Sequence, residues 1–159
     1  MYTESNVKLS CNALWQKCVL ATLYRAAATH PKIKLLQFKL IPCPGINKAI
    51  PSLMADFTGE LHRLISEYLQ CKRRKDKSVE PTPLYYLWSR EAVANDTTPY
   101  LMVLLLNNDV WCKSREVVVL RNLIEQVWGK VLGEDNSITH LVVYPEVLSL
   151  VFDAANTYN

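Results

Sequence analysis

Residues Pro83–Trp111, PLYYLWSREAVANDTTPYLMVLLLNNDVW, decide the fold. Leu84 to Val93 and Tyr100 to Asn107 are two runs of strand length, rich in aromatic and branched residues. Between them Ala94, Asn95, Asp96, Thr97, Thr98 and Pro99 form a polar stretch suited to reversing the chain. The stretch therefore predicts a β-hairpin. Its second strand is apolar at nearly every position, and leaving several large aliphatic side chains in water forfeits about 1.5 to 3 kcal/mol each, so both of its faces call for cover.

Upstream, Ile46, Ile50, Leu53, Met54, Phe57, Leu61, Leu64, Ile65, Tyr68 and Leu69 recur at steps of three and four. That is the clearest helical periodicity in the chain, with Pro51 marking the start of the helix proper. Before it, Lys32 to Ile41 alternates: Leu36, Phe38 and Leu40 point one way, and Leu35, Gln37, Lys39 and Ile41 the other. Pro42, Pro44 and Gly45 close this strand. A first helix is expected over about Ser5 to Thr29, with Leu14, Trp15, Cys18, Leu23 and Tyr24 on compatible spacing and Pro31 stopping it.

Downstream, a helix is expected from Ser114, read as its cap, to Leu132, burying Leu120, Leu123, Ile124, Val127, Trp128 and Val131, with Gly133 ending it. His140 to Tyr144 reads as a last strand and Val147 to Ala155 as a short helix or coil. The order strand, helix, strand, strand, helix, strand predicts an α+β, ferredoxin-like domain. It implies a four-stranded antiparallel sheet with two helices on one face and an added N-terminal helix. Residues 1–31 form the extension, 32–144 the core and 145–159 a tail of a single domain. A chain of 159 residues, 50% hydrophobic with four glycines, suits one folded unit with a sizeable core. No apolar run approaches the ~20 residues of a membrane span and no secretory leader is read, so a cytoplasmic protein without membrane contact is expected.

Charge is modest overall, +3, but unevenly placed. Lys72, Arg73, Arg74, Lys75 and Lys77 put five of the 18 basic residues just after Cys71. Such a run is commonly a solvated helix end that suits the helix dipole; phosphate contact is the sharper reading. Trp88 and Arg90 are further candidates for nucleic acid, through base stacking and phosphate contact, against ordinary sheet packing and pairing. Five cysteines, Cys11, Cys18, Cys43, Cys71 and Cys112, show no metal-ligand spacing and read as reduced packing residues. His30, His62 and His140 are too separated to suggest a metal cluster. Neither a phosphate-cradling glycine loop nor a catalytic triad stands out, and no cofactor or metal is expected.

The hairpin and its flanks resemble the inovirus-type replication initiators of phages and prophages, together with the YagK/YfjJ-like proteins of integrated elements, within the HUH endonuclease class. The matching residues are His30, Pro31 and Lys32 before the first strand, and Trp88, Ser89, Arg90 and Glu91. They continue with Pro99 and Tyr100 through Leu106 to Asn107. The resemblance covers about Ala28 to Tyr144. It implies a site where two histidines separated by one residue and an upstream acid hold a divalent cation while a helix tyrosine attacks phosphorus. Here Pro99 and Leu101 stand where the histidines belong, and only Glu91 carries over. Tyr144 and Tyr158 are not expected to act as the nucleophile.

What the resemblance implies is therefore a noncatalytic relative of a rolling-circle replication initiator, binding single-stranded or hairpin DNA. The alternative is a mobile-element effector, such as a toxin, an anti-defence factor or a defence trigger, that binds a bacterial host or phage protein. Its surface would be the former active-site face: Tyr85, Leu87, Glu91, Pro99, Leu101 and Val103. Strand alternation places Leu101, Val103 and Leu105 together with Leu35 there, under the N-terminal helix, the tail or another chain.

Overall fold

The computed structural model describes residues 6–42, 50–75, 84–90, 98–133, 141–145 and 149–153. The elements run α1 (Asn6–Ala27), β1 (Lys32–Leu40), α2 (Ile50–Lys75), β2 (Tyr85–Ser89), β3 (Tyr100–Asn107), α3 (Asn108–Trp111), α4 (Ser114–Leu132), β4 (Val142–Val143) and β5 (Ser149–Asp153). The sheet is antiparallel with the order β2, β3, β1, β4, and β5 also pairs β1. β3 pairs β1 from Ile33 through Leu40, so β4 and β5 lie in succession along the other edge of β1. This is the ferredoxin-like order, with the last strand in two pieces.

The β1–β3 register sets Leu36 opposite Leu104, Phe38 opposite Met102 and Leu40 opposite Tyr100. These side chains face α2 and α4, whose inward residues Leu53, Met54, Phe57, Leu61, Leu120, Ile124, Val127 and Trp128 are all buried with them in one core. Trp128 meets Phe57 edge-on at 5.6 Å, and its indole N–H donates to the Ile41 carbonyl at 2.9 Å. The polar end of a buried indole thus finds its partner at the end of β1. Gly133 takes φ 73°, and its N–H caps α4 by donating to the Lys130 carbonyl, a conformation that favours glycine.

The opposite sheet face carries Ile33, Leu35, Val103, Leu105 and Tyr85, and α1 covers it with Trp15, Leu23 and Ala26. The expected cover on β3 is therefore the N-terminal helix. Several details differ from the sequence reading. First, α1 docks along Trp15, Thr22, Leu23 and Ala26, leaving Leu14 and Tyr24 65% and 64% exposed and Cys18 exposed. Periodicity located a helix but not which of its apolar sides the sheet takes, because both sides are apolar. Second, Cys71 and Cys112 are also exposed rather than packing residues, while Cys11 and Cys43 have side chains outside the described set. Third, Ser114 is the first helical residue; Lys113 is the cap and makes no side-chain cap bond. Fourth, Ser149–Asp153 is a strand, not helix or coil, because the first half of β1 otherwise keeps an unpaired edge.

β2 is shorter than expected, ending at Ser89. Arg90 leaves the strand, donates from Nε to the Thr98 carbonyl at 3.1 Å, and lays its guanidinium over the Tyr100 ring at 4.5 Å. Residues 91–97, most of the expected turn, lie outside the described set. Among the described residues no helix is long and apolar enough to cross a membrane.

Docking of α1 has a measurable stake. Leu23→Ala is expected to lower unfolding free energy by about 2 to 3 kcal/mol. Leu20→Ala, on the outer side of α1, should change it by less than about 0.5 kcal/mol in the same urea titration.

Candidate nucleic-acid interface

The basic run begins on the last turn of α2, where Lys72, Arg73, Arg74 and Lys75 all lie. Residues three and four apart share a helix face, so Tyr68 and Lys72 turn inward together. Both reach Glu116 in the first turn of α4: the Tyr68 hydroxyl donates to Oε2 and the Lys72 ammonium to Oε1. Glu116 is only 1% exposed, on the same α4 face as Leu120 and Ile124. Burial pushes its carboxyl up, but the bonds from Lys72 and Tyr68 and the nearby Lys72 and Arg115 charges outweigh that and hold it below the ordinary value. Burial, and then the Glu116 carboxylate, raise the Tyr68 hydroxyl to about 12.

This contact fixes the end of the domain. Tyr68 lies against Trp111 at 5.5 Å, and the Trp111 carbonyl accepts from the buried ammonium of Lys34 at 2.9 Å. Burial depresses the Lys34 ammonium, with a smaller opposing contribution from Cys112. The strand parity that buries Leu36, Phe38 and Leu40 also turns Lys34 inward, a signal present in the sequence. The i, i+4 spacing of Glu116 from Leu120 likewise marks an inward carboxylate.

Arg73, Arg74 and Lys75 are exposed, and no hydrogen bond or ion pair among the described residues occupies them. The middle of α2 is different: Glu60 takes Arg63 at 2.6 Å and Lys130 at 2.9 Å, and Arg63 also reaches Glu67. Arg63 and Lys130 together hold the Glu60 carboxyl down to about 2. Among the described residues, charge is thus compensated along the helix and left open at its end. Lys77 falls outside the described residues.

Trp88 and Arg90 do not join this group. Trp88 packs on the main core and meets Tyr100 at 6.1 Å, and Tyr100 in turn meets Trp128 at 6.1 Å. Trp128 stands twelve positions beyond Glu116 on α4, so the two groups are about 18 Å apart along that helix. Both side chains are half-buried, and Arg90 is held by Thr98 and Tyr100.

On the sheet face that the resemblance singles out, Val103 is buried beneath α1. Tyr85 is half-buried, bonded to the Thr29 hydroxyl at 2.9 Å and edge-on to buried His30 at 6.5 Å. Burial pushes the His30 imidazole down, and Asp109 partly offsets it. Leu87, Pro99 and Leu101 are half-buried, and Glu91 lies outside the described residues. Among the described residues no group of three or more His, Cys, Asp or Glu is placed to hold a metal ion. His62 is exposed, and His140 is outside the described set.

A family profile for the YagK/YfjJ C-terminal domain matches residues 9–155. The chain belongs to this family. The family is found in prophage-type proteins. The match takes in α1 from residue 9 and every later described element, so the part of the helix that covers the second sheet face lies within the family domain. No curated protein and no solved structure matches the chain significantly.

The Glu116 contact predicts a direction with pH. A carboxyl held low in the fold contributes stability that is fully present above its unfolded value, near 4.5, and is lost as pH falls through the folded value. Glu116→Gln is expected to cost about 1 to 2 kcal/mol at neutral pH and to flatten the loss of stability below pH 4.5. Urea midpoints measured from pH 7 to pH 3 check both.

Proposed function

We propose that this prophage-type domain binds single-stranded or hairpin nucleic acid through the end of α2 and does not cut it. The observation that carries the reading is the set of Arg73, Arg74 and Lys75: adjacent, exposed, and without ionic partners among the described residues. Elsewhere on α2 the guanidinium of Arg63 is fully engaged by carboxylates. Three adjacent cations in water repel one another, and a polyanion relieves that repulsion while releasing its own counterions.

The absence of cutting rests on the resemblance to replication initiators. At the two positions that hold their cation, Pro99 and Leu101 supply no side-chain donor atom, and a lone Glu91 would leave a divalent ion most of its hydration. The descent of the domain from such an initiator is part of this proposal. It is supported by the strand order, by the Trp88 to Glu91 and Pro99 to Asn107 segments, and by membership of a prophage-type family.

A second reading, an effector that binds a host or phage protein, is favoured by one observation: α1 is apolar on both sides, with Leu14, Leu20 and Tyr24 exposed. It moves the contact surface from the sheet, which α1 covers, to the outside of α1.

Binding of a labelled hairpin and a single strand, titrated from 50 to 300 mM salt, tests the first reading. The affinity should fall steeply with salt, and Arg73→Gln/Arg74→Gln/Lys75→Gln should lower the log–log slope by about 2. No measurable binding at 50 mM salt would overturn it, and a specific cross-link from a photoreactive group at Leu20 to a host or phage protein would then establish the second. Incubating the hairpin with the protein and Mg²⁺ or Mn²⁺ is expected to yield neither cut strands nor a covalent protein–DNA adduct on a denaturing gel.

A further inference from the structure

The cations of α2 do not stand alone. The Glu116 contact brings the start of α4 against the end of α2, and with it Lys113 and Arg115, both exposed and just ahead of the buried carboxylate in sequence. Arg115 is near enough to influence the ionisation of both Tyr68 and Glu116. The two helix ends therefore gather cations from separate parts of the chain at one end of the domain.

Helix stability explains only half of this arrangement. Cations at the C-terminal end of α2 suit its dipole, but Lys113 and Arg115 sit at the N-terminal end of α4, where positive charge is unfavourable. Glu116 is the acidic residue of that first turn, and it is turned inward to Lys72 and Tyr68. Lys113 and Arg115 are thus badly placed for their own helix and lie at the same end of the domain as three like charges, a combination that an external anion relieves.

We infer that Arg73, Arg74 and Lys75 of α2 and Lys113 and Arg115 of α4 form one two-sided phosphate platform for single-stranded nucleic acid. Lys72, paired with buried Glu116, fixes the spacing of the two sides instead of touching the strand. The inference rests on the reading given under Proposed function and adds to it the second side and the separate task of Lys72. A strand is the favoured partner because successive phosphates along a flexible backbone can reach cations on two elements, whereas a single small anion satisfies one or two of them.

Lys113→Gln/Arg115→Gln tests this on the full chain by fluorescence anisotropy with a labelled oligothymidine. The expected result is about a tenfold weaker affinity at 50 mM salt and a salt slope smaller by about 1.4, the contribution of two phosphate contacts on a single strand. The charge-matched control Lys17→Gln/Lys39→Gln, on α1 and on the sheet, should leave the slope unchanged. Lys72→Met should shift the urea midpoint downward while keeping the slope within experimental error of the parent.

If the parent binds and depends on Arg73, Arg74 and Lys75 but is indifferent to Lys113 and Arg115, the two-sided platform is wrong and the function stands. An equal loss in the control reduces the effect to net charge and overturns the platform. If the parent does not bind, the function itself fails. A slope reduced by Lys72→Met to the same extent as by Lys113→Gln/Arg115→Gln would make Lys72 a phosphate contact and overturn its assigned task.

Discussion

The register between β1 and β3 determines the neighbours of nearly every other element. Because successive strand residues face opposite sides, pairing Phe38 with Met102 commits Leu36, Leu40, Tyr100 and Leu104 to the side of α2 and α4, and Leu35, Val103 and Leu105 to the side of α1. A slip of one position would exchange the two sets. It would also carry Lys34 out of its bond with the Trp111 carbonyl and set the ammonium beneath α1 without that partner. β3 is apolar on both faces, so the discrimination comes from β1, where a slip would turn Gln37 and Lys39, exposed in the fold, toward the core. Lys34 and the terminal contacts of the sheet add to it.

At the end of the sheet where Lys34 lies, buried polar groups are linked in sequence: Lys34 to the Trp111 carbonyl, Trp111 to Tyr68, Tyr68 and Lys72 to Glu116. Bringing charged groups out of water costs several kcal/mol each, so such a set stabilises little in net terms while strongly favouring one geometry. That geometry is the approach of the α2 end to the α4 start. The main core fixes the two helices along their length, through Phe57, Leu61, Ile124 and Trp128, and Glu116 fixes them at their tips.

Much of this fold was legible in the chain. β3 and α4 have the bounds that apolar runs and periodicity assign them, Tyr100–Asn107 and Ser114–Leu132, since long regular patterns leave little freedom. The double-sided apolarity of β3 called for cover on the second sheet face but left open whether α1, the tail or another chain supplies it, and the side of α1 that docks was not legible either. β5 was illegible for another reason: its pairing is decided by the vacant edge of β1, over a hundred residues earlier, and Leu150 and Val151 remain exposed on it. Of the candidate site, the run at Lys72 was visible as composition. Its division into one inward and three outward cations was not, since that depends on Glu116, and its separation from Trp88 and Arg90 required the topology. Lys113 and Arg115 carried no local signal, because only the meeting of two helices gives them company.

The position of α1 ahead of the sheet has a consequence for how the domain comes to exist. The helix leaves the ribosome before the strands it covers, and the surface it needs is completed only when β3 has been made, some eighty residues later in the chain. During that interval a segment greasy on two sides has only Ile33 and Leu35 of β1 to lie against, and Val103 and Leu105 join them from far along the chain. Apolar surface left uncovered in this way favours association between chains before the fold closes.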